Sequence, residues 1–487
     1  MAPFYAGVRH PVTRPGREVG GQAAFCTQAT VFVAGYGLTN REPDQKGRLF
    51  TPGPRTCGTP VAPGDGVAAT LNVLIVDGES DFALPVVWCL AQVPGLRLHL
   101  LSQDRWAAAG ASRYVTSVKT WSATGDWTLV DQVLESVTDI EAHVCVAVGA
   151  PAIRRIGRDP RMRGLPLAPI PPASSFDIAD DKWRLACFVK QRELPHPTTV
   201  LCSATQAFED RIRVMQFPAL IKPRHGGNGA GIRRFEHPSE LSSYLEAHPR
   251  EIGRSIVQTE IGGYDVDCSV LCERGKVLAY TIQTDFSNDS AQFRPSGGIE
   301  FIPHEGVIAV VRRLMAALDW SGVAHVDLRC DARTGDVAII EINPRFWGSL
   351  LGSLHAGVNF PHLACLTSLG LPSPAMAVQR IRYVAGGTAL RLWLQGGIDG
   401  RRAGFTFTDT VFPHALKDPM PHVMEALAKV AGTTGRTARR LLDSLPRNSP
   451  NERPATIPRS GATGRYVRWW GSARSSRCES APRSLAD

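Results

Sequence analysis

Apolar and polar positions along the chain follow two rhythms. Leu71-Asn-Val-Leu-Ile-Val-Asp77 is an almost unbroken apolar run, the pattern of a strand buried on both faces of a parallel sheet. A helix fits Asp81 to Gln92, a second strand Leu96 to Leu101, a helix Trp127 to Val137, and a third strand His143 to Val148. Strands alternating with helices predict a small doubly wound α/β domain over residues 71–172, closed by the proline-rich passage Pro160 to Pro172. Asp177 is placed to cap a helix ending near Arg192, and from Pro197 to Ile302 the rhythm becomes that of strands. One helix interrupts them near Pro238 to Ala247 and another follows at Glu305 to Leu318, so residues 173–370 read as an α+β unit. Residues 371–445 carry a weaker α+β pattern with no assignable role.

Length and composition refine this picture. A chain of 487 residues exceeds one ordinary core and implies about two to four units. With 43% hydrophobic and 20% charged residues it is ordinary for a globular protein. The net charge of +9 would point to nucleic acid if it lay on one folded face, but residues 446–487 hold eight Arg against three acids and supply +5 of it. That segment is rich in Pro, Ser and Gly and reads as a solvated basic tail, so nucleic acid is disfavoured as a partner. Residues 1–70 show neither an apolar signal core nor a convincing presequence and read as a flexible extension. No apolar stretch reaches the ~18 residues of a membrane span. The eleven cysteines are scattered without a C-x-x-C pair, as expected of reduced thiols in a cytoplasm. A homodimer is compatible with the sequence, which does not set the oligomeric state.

Three constellations carry chemistry. Phe217-Pro-Ala-Leu-Ile-Lys222-Pro223 leads into Arg224-His225-Gly226-Gly227-Asn228-Gly229-Ala230-Gly231-Ile232, whose glycines free the backbone to bend N–H groups around phosphate oxygens, with Lys222 as charge partner. It is neither a Walker loop nor G-x-G-x-x-G; the residues that follow are strand-like, so a hairpin tip is expected. Val323-Ala-His-Val-Asp-Leu-Arg-Cys330 and Asp336-Val-Ala-Ile-Ile-Glu-Ile-Asn343 read as strands joined by Asp331-Ala-Arg-Thr-Gly335. With Thr334 at the centre, Asp327 and Glu341 are equidistant from it and face each other, and Asn343 shares their side. Facing carboxylates repel unless a cation lies between them, so the three oxygen donors suit Mg²⁺. The opposite side is expected to be apolar, with Ala324, Val326 and Leu328 against Ala338, Ile340 and Ile342. Arg345, just past the strand, is placed to grip a phosphate or carboxylate. Ser255 to Asp267 reads as strand, linker, strand. After Asp77 the chain reads Gly78-Glu79-Ser80-Asp81, without the glycine spacing of a dinucleotide fold, which disfavours a dehydrogenase.

Taken in order, Asp181-Lys182, Ile221-Lys222-Pro223, the glycine loop, the acidic strand and Glu341-Ile-Asn-Pro-Arg345 resemble the ATP-grasp superfamily, in particular its bacterial carboxylate–amine ligases, over about residues 71–370. The resemblance implies a pre-ATP-grasp α/β domain followed by two α+β subdomains clamping ATP. It implies that Lys182 and Lys222 contact the phosphates while Gly226, Gly227, Asn228, Gly229 and Gly231 close over them. Gln258, Thr259, Glu260 and Ile261 would form the hinge against adenine, with Asp265 at the ribose and Glu260 as its rival. Asp327, Glu341 and Asn343 would hold one or two Mg²⁺ (or Mn²⁺). Lys222, Lys182 and Arg345 would serve the transfer of phosphate to a small-molecule carboxylate that is then coupled to an amine. Arg294 and Ser296 are candidate substrate contacts. Rival readings are a carbamoyl-phosphate-synthase-like or carboxylase enzyme using bicarbonate, and a non-catalytic ATP-binding regulator.

Overall fold

The computed structural model describes residues 70–122, 128–227, 229–286, 297–396 and 404–434. The extension below Thr70, the tail 446–487, and Asn228, Arg294 and Ser296 lie outside the described residues. Strands β1 (Leu71–Val76), β2 (Leu96–Ser102), β3 (Val115–Thr120) and β4 (Val144–Ala147) form a parallel sheet in the order β3-β2-β1-β4. Val73 and Ile75 of β1 pack with Val86 and Val87 of α1 (Ala83–Leu90). Leu74 and Val76 pack with Val133 of α2 (Leu129–Asp139) and Ile153 of α3 (Ala150–Arg158). Helices thus cover both faces, which is why β1 has no polar alternation. The expected three strands become four. The missed one, β3, is an edge strand whose residues alternate between half-buried and exposed, so it offers no apolar run to read.

The single helix expected from Asp177 to Arg192 is two, α4 (Ala173–Ala179) and α5 (Lys182–Gln191). The break falls at Asp181, whose extended backbone and carboxylate, accepting from the Trp183 and Arg184 N–H groups, cap α5 and leave Lys182 as its first residue. Next comes an antiparallel sheet of β5 (Thr199–Leu201), β6 (Ala219–Pro223), β7 (Arg233–Phe235) and β8 (Ser255–Thr259), ordered β5-β8-β6-β7. It is backed by α6 (Gln206–Val214) and α7 (Pro238–Ala247). Helix α6 was not expected; its signals were the Thr205 cap and Phe208 and Ile212 one turn apart.

The largest sheet contains β9 (Gly263–Glu273), β10 (Lys276–Asp285), β11 (Gly298–Phe301), β12 (Gly322–Asp331), β13 (Val337–Asn343) and β14 (Arg382–Val384), ordered β13-β12-β9-β10-β11-β14. One face, with Val266, Cys268 and Val270 of β9 and Val326 of β12, packs on α8 (Glu305–Ala317) and α5. The other face is divided. Leu271, Val323, Ala279 and Phe301 lie in a core with α9 (Leu350–His355) and α10 (Phe360–Ser368) that reaches α1 of the first sheet. The remaining half carries polar side chains and opens toward the β5–β8 sheet.

Because β14 pairs with β11, this sheet runs past residue 370. Helices α11 (Gly386–Gly396), α12 (Phe412–Lys417) and α13 (Met420–Thr434) follow. Asp418, between α12 and α13, is fully buried against the first domain and accepts hydrogen bonds from Trp88 Nε1 (2.8 Å), Ser112 Oγ (2.5 Å) and Arg113 N (3.0 Å). Among the described residues no helix is long and apolar enough to cross a membrane.

Candidate active site

The polar half of the large sheet is assembled from three neighbouring strands. Asp327 of β12 is paired with Glu341 of β13 on one side and with Asp267 of β9 on the other. His325 is likewise flanked by Asn343 and Ser269. The pairing of Asp327 with Glu341 depends on a register shift that a symmetric hairpin does not contain. Leu328 pairs with Ile339, so an unbroken ladder would set Ile340 against Asp327; a β-bulge inserts that residue and brings Glu341 forward instead. The expected apolar face is corrected accordingly. Val337 and Ile339 before the bulge, and Ile342 after it, join the core beneath the sheet, whereas Ala338, itself buried, and the half-buried Ile340 are not part of that cluster. The extra residue switches the parity of the strand.

Burial of like charges raises their proton affinity here. Asp327 is raised well above the usual carboxylate range, first by burial and then by Asp267 and Glu341. Asp267 is pushed up to about 7 by burial, although Gln283 Nε2 donates to its Oδ2 at 3.1 Å. His325 is pushed down to about 3, by burial and then by Arg345, and is therefore a neutral ring between two carboxylates. The Asn343 amide lies 3.3 Å from Asp327 Oδ1, and its Oδ1 accepts from Arg345 Nη2 at 3.1 Å. Arg345 also donates to the Phe346 carbonyl and lies 4.4 Å over the Phe82 ring, which brings the first domain to the rim of the site.

The start of α5 and the facing sheet supply the cations, Lys182 and Lys222 respectively. Lys182 Nζ lies 3.1 Å from Glu341 Oε1 and donates to the Gly226 carbonyl at 2.6 Å. Lys222, with only 7% of its surface exposed, donates to Gln258 Oε1 at 2.8 Å. Burial pushes Lys222 down to about 8, with Glu341 opposing and Lys182 adding to the effect. The loop after Lys222 joins β6 to β7, and Gly226, Gly229 and Gly231 have φ of +98°, +71° and +77°. A Cβ on Gly227 would stand 3.7 Å from both Asn343 Oδ1 and Glu341 Oε1, so this loop lies directly over the carboxylates. Thr259, Glu260 and Ile261 fall where β8 hands over to β9. The Glu260 N–H donates to the Pro218 carbonyl at 2.9 Å, and the Ile261 carbonyl accepts from Arg329 Nε. The two rival carboxylates are each paired with an arginine, Glu260 with Arg234 and Asp265 with Arg329 at 2.6 Å. The structure thus gathers Lys182, Lys222, Arg345, Asp327, Glu341, Asn343, Gly226 and Gly227 into one cleft.

Sequence reasoning missed Asp267, His325 and Gln283. The available signal was period two: Asp267 follows Asp265, and His325 precedes Asp327, on the same side of their strands. Only the β9–β12 pairing makes neighbours of them.

The family model described as the ATP-grasp domain matches residues 179–349. The chain is 24% identical over 174 residues to D-alanine–D-alanine ligase B of Chromobacterium violaceum, covering 34% of this chain and 57% of the ligase. It is 24% identical over 212 residues to acetyl-CoA carboxylase 1 of Oryza sativa, covering 42% of this chain and 9% of the carboxylase. It therefore spans little more than half of the one relative and a small part of the other. Among solved structures, the biotin carboxylase domain of 2-oxoglutarate carboxylase from Hydrogenobacter thermophilus, in complex with MgADP, ADP and bicarbonate, superposes with a TM-score of 0.52 at 13% identity, covering 65% of this chain and 73% of that one. N5-carboxyaminoimidazole synthetase from Staphylococcus aureus gives 0.52 at 12% identity, covering 68% and 87%. At these identities the likeness concerns the fold.

Proposed function

Because this chain carries an ATP-grasp domain over residues 179–349, we propose that it is an ATP-dependent ligase that phosphorylates a substrate carboxylate and couples it to an amine. The observation that supports this reading is the 3.1 Å approach of Lys182 to Glu341, which sets the lysine at the start of α5 between a cluster of oxygen donors and the glycine loop, whose Gly226 carbonyl it also bonds. Asp327, Glu341 and Asn343 form an all-oxygen set that fits Mg²⁺ or Mn²⁺ and would hold it. When bound, such an ion neutralises charge on triphosphate oxygens.

The chain's own residues account for the rest. Lys182 and Lys222 bind the phosphates, and Arg345 offers a planar guanidinium to the transferred phosphoryl group. A carboxylate oxygen bonds to the γ-phosphorus as the bridging bond to ADP breaks. The amine then attacks the acyl carbon, inorganic phosphate leaves, and the amine gives up a proton. Gly226, Gly227, Asn228, Gly229 and Gly231 keep water from the mixed anhydride between the two steps. Gln258 to Ile261 border the adenine. Asp265, with 71% of its side chain exposed on the site face, is better placed for ribose hydroxyls than Glu260, with 15%. Arg294 and Ser296 are assigned to the substrates. The eight described cysteines are free, which fits a reducing cytoplasm.

The test is a screen of carboxylate and amine pairs for ADP and phosphate release with product masses read out, using Glu341→Ala as control. Turnover should vanish in that variant while its melting temperature holds; turnover equal to wild type rejects the site assignment. The match to a carboxylase favours a second reading in which bicarbonate is the carboxyl donor. Phosphate release triggered by bicarbonate alone, with no response to organic acids, would select it.

A further inference from the structure

Among the described residues one group brings three side chains of metal-binding type together with their ligand atoms within 4.8 Å of one another: Asp267, His325 and Asp327. His325 Nε2 stands 3.7 Å from Asp267 Oδ2 and 3.5 Å from Asp327 Oδ1. Both distances exceed the ~3.2 Å limit of a good N–H···O hydrogen bond, so neither tautomer bonds these carboxylates directly. They are close to the ~3.4 Å edge of a tetrahedron of N and O ligands at ~2.1 Å from a central ion.

The three groups are held in place from behind. Ser269 Oγ lies 2.9 Å from His325 Nδ1. A proton on Nδ1 donated to that hydroxyl leaves the Nε2 lone pair aimed between the carboxylates, the arrangement a metal-bound imidazole needs. The Trp347 ring stacks on His325 at 5.6 Å and 16°, fixing the plane of the imidazole. Gln283 Nε2 donates to Asp267 Oδ2, and its Oε1 in turn accepts from Ser349 Oγ at 2.8 Å.

We propose that Asp267, His325 and Asp327 form a nitrogen-containing divalent cation site, distinct from the Asp327, Glu341 and Asn343 oxygen set and sharing Asp327 with it. An imidazole in the donor set favours ions of borderline softness, Co²⁺ or Zn²⁺, over Mg²⁺, and Mn²⁺ serves as the paramagnetic probe of the site. The inference stands on these distances and does not need the ligase reading.

The experiment uses the full chain without nucleotide. Pulsed EPR of bound Mn²⁺ should show coupling to an imidazole ¹⁴N, and Co²⁺ should give the intense visible bands of a four-coordinate N/O site. Asp267→Asn should weaken Co²⁺ binding at least ~10-fold, and His325→Asn should abolish the ¹⁴N coupling, each with a melting curve to show a folded protein. Absence of ¹⁴N coupling in the wild type, a measurement that needs no variant, overturns the proposal. So does a folded Asp267→Asn that binds Co²⁺ as the wild type does. Failure of the ligase reading would appear instead as normal metal binding without turnover on any carboxylate and amine pair.

Discussion

The two sheets that face each other across the cleft bury charge in opposite ways. The β5–β8 sheet encloses one cation, Lys222, against a neutral partner, the Gln258 carbonyl oxygen. The β9–β14 sheet lines up three carboxylates, Asp267, Asp327 and Glu341, on adjacent strands. Either arrangement alone is unfavourable, since a lone buried cation lacks its water and like charges on paired strands repel. Together they describe a cavity with opposite walls, one matched to a polyanion and the other to divalent cations. Two sheets that were merely solvated would not lower one lysine and raise two carboxylates at the same place.

Four experiments break or sharpen this contrast. The largest effect is expected from Lys222→Met. ATP turnover should fall ~10²–10³-fold, because a charge aimed at the transferred group is lost. Stability should not fall, because a buried cation is replaced by an apolar chain of similar length; a variant that melts well below wild type would mean that Lys222 holds the fold instead.

Next is pH. Lys222 is charged in the nucleotide-free protein below about 8 and loses its proton above it. Bound triphosphate restores that charge, so nucleotide affinity should drop by up to ~10-fold per unit as pH rises beyond this point. Calorimetry in buffers of different ionisation heat should show proton uptake on binding there, and a flat profile to pH 10 would remove Lys222 from the phosphates.

On the opposite wall, Asp267 keeps its proton in the folded chain to about 7, whereas in the unfolded chain it has lost it by about 4. Between those values the native state binds more protons, so stability contributed by this group is lost as pH rises. In metal-free protein, Asp267→Asn should therefore gain on wild type by ~1–2 kcal/mol between pH 5 and 8, an order-of-magnitude figure. Denaturant unfolding at the two pH values checks the sign.

The smallest effect concerns the loop between the walls. Gly231→Ala would place a Cβ 2.9 Å from Pro223 Cγ at a φ of +77° and should cost ~1–2 kcal/mol. Gly227→Ala meets only ordinary contacts and should leave the melting temperature within a degree or two, which chemical denaturation of both variants compares directly.

Local pattern made some of this legible and hid the rest for identifiable reasons. The β1 run, the Gly226 to Gly231 loop and the Glu341-Ile-Asn-Pro-Arg345 segment stand out because each has a composition that one backbone role demands. The edge strand β3 and helix α6 were overlooked because partial burial leaves a diluted period. The pairing of Asp327 with Glu341 was expected from a symmetric hairpin, yet it is produced by a bulge that the symmetric reading does not contain. The right neighbours were named with the wrong strand parity at Ala338 and Ile340.

By itself the sequence determined the type of each element and the side chains it presents, because these follow from φ/ψ preference, side-chain period and turn chemistry within a few residues. The tertiary structure alone decided that Asp267 meets Asp327 and that Lys182 meets Glu341, residues 60 and 159 positions apart. Contacts at such separation are selected by the free energy of the whole assembly, including the strand order, one inserted residue and the helices beneath the sheet, and no local period encodes them.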